Sequence, residues 1–315
     1  MPHFADMLLA ACATKQSRVV VGLDPHFALL PPSLTTQARQ ATAPQVRRVA
    51  AAEAIMAFNR EILPAVADKV AAVKPQLAFY EQWGPAGIKA YEDTVALAHE
   101  LGLLVIADAK RNDIGSTAEA YAAAFLGRAA NDASAAPIPS EQPDPWEADA
   151  ITVNPYFGMD GITPFLQRWP RGKGLFALLR TSNSSAPQVQ DIPTAGGGKV
   201  YTQLAELISG WGEESVGACG YSALGAVVGA TYPEDMQALR RVMPHTLFLV
   251  PGYGAQGGDA ASVAAAFKPD GFGAVINTSR QVLFAYRDMN DQEHFALCAR
   301  RAAEETRQAI NAVLL

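Results

Sequence analysis

LLVIADAKRNDIGSTAEAYAAAFLGR, residues 103–128, is the stretch from which the fold can be read. Leu103–Ala107 is an unbroken apolar run, a polar turn follows, and Ser116–Arg128 then carries a helical pattern. Continuous rather than alternating polarity marks a strand buried on both faces, as parallel strands under helices are. The unit recurs along the chain. Strand-like runs stand at Arg18–Leu23, Val70–Lys74, Leu103–Ala107, Ala150–Val153, Leu175–Leu179, Ala226–Gly229, Thr246–Val250 and Gly273–Ile276. Helical stretches lie at Pro44–Leu63, Pro85–Leu101, Ser116–Arg128, Ile162–Arg168, Tyr201–Val216, Pro233–Val242, Ala260–Phe267 and Gln292–Val313. Some of these open on proline, which suits a first helical turn because its missing N–H would have no partner there. Eight strands, each followed by a helix, predict an α/β protein of the (β/α)8 TIM-barrel class, a single domain over residues 1–315; an open doubly wound sheet is the competing closure.

Composition narrows the function classes. The 315 residues carry 25 Lys+Arg against 31 Asp+Glu, a formal net charge of −6, which argues against nucleic-acid binding by bulk charge. Half the residues are hydrophobic and 18% charged, enough apolar material for a large core. No apolar run reaches the roughly 18 residues of a membrane span. Cys12, Cys219 and Cys298 are dispersed, so neither a disulfide framework nor a zinc site is expected, and a cytoplasmic setting fits best. The N-terminal MPHFADMLLAACATKQSR includes Asp6 and lacks a basic n-region; it reads as a helix closing the barrel floor rather than as a signal peptide. Two stretches read as insertions. Residues 129–147 follow a helix and belong on the barrel floor, whereas residues 181–198 follow strand five and are a candidate lid.

A barrel builds its active site from the C-terminal ends of its strands. Here those ends supply Asp24, then Lys74, then Asp108 and Lys110 with Asp113 just beyond, and finally Asn277, Ser279 and Arg280. Singly, each has a bland reading as a helix cap or a solvated charge. Together they bring acids and bases to one mouth. Asp108 and Lys110 are two apart on an extended strand end, so both are expected to face the barrel axis. A lysine among carboxylates keeps its proton and suits stabilising, or protonating, a carbanion formed beside it. No metal is implied, for this segment offers no histidine and the chain has no HExxH spacing. Pro251-Gly-Tyr-Gly-Ala-Gln-Gly-Gly-Asp259 holds four glycines that let backbone N–H groups approach an anion, and Arg280 follows one loop later. These are the loops that hold phosphate in many barrels. The histidines (His3, His26, His99, His245, His294) read as structural or solvated, and the four tryptophans form no stacking array.

VGLDP around Asp24, VKPQLAFYE around Lys74, DAKRNDIGST, PGYGAQGGD and NTSR together resemble the orotidine 5′-phosphate decarboxylase family from about residue 18 to 285. The length, the VNPYFG run at Val153–Gly158 and the SR pair resemble its longer bacterial, type 2 branch. The resemblance implies metal-free, cofactor-free decarboxylation of orotidine 5′-monophosphate to uridine 5′-monophosphate in pyrimidine biosynthesis. It further implies that Asp108 lies against the substrate carboxylate and that Lys110 protonates C6 after CO₂ leaves. Lys74 would link Asp108 to the ribose, and Asp24 would hold a ribose hydroxyl. Asp113 and Thr117 would reach the neighbouring subunit's site in a homodimer. Ser182 would bond the pyrimidine amide, Gln256 and Arg280 would clamp the phosphate, and Gly257 and Ser279 would be further substrate-binding residues. Two other functions compete: a metal-dependent sugar-phosphate decarboxylase or synthase of the same suprafamily, and a catalytically silent barrel that binds a nucleotide phosphate.

Overall fold

Eight parallel strands close into a barrel in sequence order in the computed structural model, which describes residues 1–127, 146–254 and 258–314. The strands are β1 (Val19–Leu23), β2 (Ala72–Pro75), β3 (Leu104–Arg111), β4 (Ala150–Val153), β5 (Gly174–Arg180), β6 (Leu224–Val228), β7 (Phe248–Val250) and β8 (Ala274–Thr278). Pairing of Val20 with Asn277 joins β8 to β1 and completes the circle. The expected (β/α)8 architecture is therefore present, with every predicted strand in place to within a few residues.

Alternate strand residues enter two different cores, because successive side chains point to opposite faces. Val19, Val21 and Leu23 of β1 pack outward under the helices, while Val20 points in. One residue from each strand fills the interior layer: Val20, Ala72, Ile106, Ala150, Phe176, Val227, Leu249 and Val275. The helix Phe4–Thr14 plugs this layer from below with Phe4, Ala5, Leu8 and Cys12, as expected for a floor-closing segment. Phe4 meets Phe176 edge-on at 6.0 Å. Gly174 makes room for that ring, since a Cβ there would stand 2.2 Å from it.

The helices differ from expectation mainly at their ends. Ile162–Arg168 is observed as Met159–Leu166 and Ala260–Phe267 as Ala260–Ala264, while Tyr201–Val216 stops at Trp211 before a short 3₁₀ turn, Glu213–Ser215. The helix Pro32–Gln40, PSLTTQARQ, was not anticipated: it buries only Thr35 and Ala38 and so lacks an apolar stripe. Most of the 129–147 insertion lies outside the described residues, as does Arg128. Its closing end is anchored, with Trp146 against Tyr91 at 5.4 Å and Phe125 at 5.6 Å, and Glu147 3.3 Å from the Lys173 ammonium. Among the described residues, no helix is long and apolar enough to cross a membrane.

Candidate active site

Two residues beyond the interior layer, the same inward parity delivers Gly22, Lys74, Asp108, Thr152 and Asn277 from β1–β4 and β8. Beyond these, at the mouth, stand Asp24, Gln76, Lys110, Asn154 and Ser279. All of these except Gly22 line a cavity of about 960 Å³ at the C-terminal ends of the strands. Gly22 is bare because Ser279 lies across it, with Oγ 2.0 Å from where a Cβ would stand. The opposite wall is apolar, built by Val189 of the residue 181–198 loop and by Val200, Leu204, Leu207 and Trp211 of the helix Val200–Trp211. Trp211 thus sits at the cavity, a role its sequence context did not indicate.

Asp108 is the hub of the polar wall. It is buried, and both of its oxygens are saturated: Oδ1 accepts from Lys110 Nζ at 2.5 Å and Thr152 Oγ1 at 2.9 Å. Oδ2 accepts from Lys74 Nζ and from Gln76 Nε2, the latter at 2.9 Å. Burial alone would raise the Asp108 pKa; the charges and hydrogen bonds of Lys74 and Lys110 outweigh it and hold the carboxyl well below the usual carboxylate range. Burial would likewise lower the Lys74 pKa, but Asp108 and Asp24 reverse the effect and keep the ammonium above its ordinary value. Charges therefore alternate along the wall as Asp24, Lys74, Asp108, Lys110. Of the two lysines only Lys110 faces open space: its side chain is 45% exposed, against 6% for Lys74.

The orientation of Lys110 has a different origin from the simple alternation expected. The β3–β4 register shifts between Ala107 and Arg111, and Lys110 takes a left-handed backbone, φ +46°. That conformation costs a non-glycine residue roughly 1–2 kcal/mol and persists only where its surroundings impose it. Here the Lys110 N–H donates to Thr152 Oγ1 at 3.0 Å while the same hydroxyl donates to Asp108, so one threonine fixes both neighbours. Gln76 and Thr152 were not picked out from the sequence. Their signal was parity alone, two residues beyond Lys74 and Ala150, and neither carries a charge that would mark it.

Asp24 and Asn277 each present a buried oxygen, Oδ1, that no described residue donates to. Ser182, Ser279 and Arg280 line the cavity as expected. Asp113 and Thr117 do not; Asp113 accepts from the Ile114 N–H at 2.8 Å and lies beyond the rim. Gln256 and Gly257 lie outside the described residues. The flanks of their loop are formed, with Gly252 and Gly254 in left-handed conformations at φ 98° and 75° and Asp259 capping the helix Ala260–Ala264 through the Ser262 N–H.

Comparison with known proteins places the chain in a family. The profile of the "Orotidine 5'-phosphate decarboxylase / HUMPS family" matches residues 17–289. A protein of Rhodopirellula baltica named orotidine 5′-phosphate decarboxylase is 43% identical over 300 residues, covering 95% of this chain and 93% of that one. One of the same name from Clostridium perfringens strain 13 is 38% identical over 303 residues, covering 96% of each. The solved structure of Leishmania donovani OMP decarboxylase superposes with a TM-score of 0.72 at 30% identity, over 99% of each chain. On sequence and fold alike, the chain belongs to the orotidine 5′-phosphate decarboxylase family and is a decarboxylase.

Proposed function

We propose that the chain converts orotidine 5′-monophosphate to uridine 5′-monophosphate without a metal or other cofactor, with Lys110 stabilising and then protonating the C6 carbanion. The observation that carries this reading is the placement of two ammonium groups on the two oxygens of one buried carboxylate, with the Lys74 side chain buried at the cavity wall and the Lys110 side chain 45% exposed. Loss of CO₂ from C6 leaves an electron pair with no π-system aligned to absorb it, so stabilisation must be electrostatic. Lys110 supplies a positive charge at the cavity surface, anchored at 2.5 Å to Asp108. Asp108 faces the departing carboxylate and, through Lys74, connects to the sugar side, where the unpartnered Oδ1 of Asp24 takes a ribose hydroxyl. Ser182 meets the pyrimidine amide. Gln256, Gly257, Ser279 and Arg280 receive the phosphate, and Arg280 has the fork geometry for two parallel bonds to it. Cys12 and Cys298 are buried free thiols, which suits the reducing cytoplasm.

The enzyme in this reading is a homodimer whose two sites are shared. Asp113 and Thr117 stand outside their own chain's cavity, beside an exposed apolar group formed by Ile114, Tyr156, Phe157 and Met159. Tyr156, which also lines the rim of its own chain's cavity, is 82% exposed, an unusual setting for an aromatic side chain unless another surface covers it. A two-fold contact through this face would carry Asp113 and Thr117 of each subunit toward the other's site. The test is subunit mixing. Lys110→Ala and Asp113→Asn homodimers are each expected to be nearly inactive. Their equimolar refolded mixture should regain about a quarter of wild-type activity, because half the dimers are mixed and each of these keeps one intact site. A mixture no more active than its parents would refute the shared site.

A further inference from the structure

Arg180 is an anomaly at the end of β5. By strand alternation it should follow Phe176 and Leu178 into the barrel, yet it does not line the cavity. The β5–β6 register slips between Leu178 and Arg180, and such a bulge re-aims the side chains after it. The guanidinium is instead buried, at 2% residue exposure, between the rings of Tyr201 and Tyr232, with centroids 4.6 and 4.1 Å away. Its Nε donates to Asp235 Oδ2 at 3.0 Å, and its Nη1 donates to Asp191 Oδ1 at 2.6 Å. Tyr201 donates to the second oxygen of Asp235 at 3.0 Å, and Lys199 to that of Asp191 at 3.2 Å.

The network joins two βα connections: Tyr232 and Asp235 follow β6, at the start of the helix Pro233–Val242, whereas Asp191 and Lys199 belong to the loop that follows β5. Asp191 sits at its middle, directly after the short helix Pro187–Gln190, and Lys199 at its far end. At its base, Thr181 is stitched to Gln190 by two bonds, from Thr181 N to Gln190 Oε1 at 3.1 Å and from Gln190 Nε2 to Thr181 Oγ1 at 2.7 Å. Ser182 follows Thr181 directly and lines the cavity together with Thr181 and Gln190. The barrel-anchored end of the network is the Asp235 and Tyr232 side, and the loop end is Asp191.

We propose that Arg180 is a positioning residue, which through Asp191 holds the residue 181–199 loop so that Ser182 stands in register to receive the substrate's ring. Arg180 itself touches no substrate; its pair with Asp191 converts the rigid end of β5 into a fixed loop geometry. The inference rests on the decarboxylase reading above and deepens it, naming what sets the ring-recognising side of the site.

Asp191→Asn breaks the loop end of the network while leaving Arg180 stacked between its tyrosines and paired with Asp235. KM for orotidine 5′-monophosphate should rise about tenfold with kcat within about twofold, as when uniform binding is lost, and the melting temperature should stay within about 2 °C of wild type. Asp191→Glu, which keeps the pair, should restore KM to within about threefold. Ser182→Ala should raise KM on its own, and adding Asp191→Asn to it should change KM by less than about twofold, because both act on one contact. Unchanged KM in Asp191→Asn, or effects of the two substitutions that simply multiply, would overturn the proposal. Wild-type protein that does not turn over the substrate would instead sink the functional reading on which it rests.

Discussion

Lys110→Ala is expected to lower kcat by roughly 10⁵-fold while leaving the Kd for uridine 5′-monophosphate within about tenfold of wild type. Two contributions combine. A unit charge about 4 Å from a developing anion is worth roughly 4 kcal/mol at an effective dielectric near 20, or about three powers of ten in rate. Loss of a positioned general acid removes a further factor of about 10² to 10⁴. Neither contribution exists in the ground state with product bound, so affinity for product should hardly respond. Single-turnover absorbance measurements at the pyrimidine band, with product binding by calorimetry, separate the two. Arginine at this position is a useful control, because it keeps the charge but holds its proton too tightly to release it. Lys110→Arg should therefore fall between wild type and the alanine variant in product formation, keeping the electrostatic share of the rate and losing the proton-transfer share. If Lys110→Ala retained kcat within tenfold, the carbanion would have to be stabilised by some other group.

The second large effect belongs to Asp108→Asn, and it is expected on stability as well as rate. The carboxylate neutralises two ammonium groups, one of them buried with it. An amide keeps the shape, but it offers one acceptor oxygen where two were saturated and turns an N–H₂ toward a lysine. Breaking a buried pair from one side costs about 3–5 kcal/mol, and urea unfolding at neutral pH should show a loss of that order, with kcat falling at least about 10³-fold. The pH dependence carries a sign. Because its folded pKa is depressed, Asp108 contributes stability that is fully present above the ordinary carboxylate value near 4. That contribution drains away as pH falls from there toward the lower folded value. Wild type should therefore lose stability through this acid window more steeply than Asp108→Asn does. Parallel acid limbs for the two proteins would show that Asp108 is not held below its ordinary pKa.

The strands were legible because residues buried on both faces leave an unbroken apolar run, and Leu103–Ala107 shows it as clearly as any. Once the strands are placed, parity brings Asp24, Lys74 and Asp108 to one mouth, and the cavity there bears this out. Lys110 was placed correctly for an incomplete reason: its aim comes from a bulge and a left-handed backbone held by Thr152, and Thr152 lies 42 residues away in sequence. The shift at Arg180 was equally hidden, since alternation sends that side chain inward and only the neighbouring strand's register turns it out. Asn277 stood one residue past the expected end of its strand, which in fact continues to Thr278. The helix Pro32–Gln40 escaped notice because a polar helix with two buried residues has no period to detect.

In the reading proposed above, fixed protein charge centred on Lys110 does the work of decarboxylation. The most direct test is the rate of orotidine 5′-monophosphate decarboxylation by wild-type enzyme after exhaustive chelation, followed by the absorbance change of the pyrimidine with chelator present throughout. The predicted result is turnover at the untreated rate, unaffected when magnesium or zinc is added back. Activity that disappears on chelation and returns with a divalent cation would contradict the account and put a metal in the role given to the Lys110 ammonium.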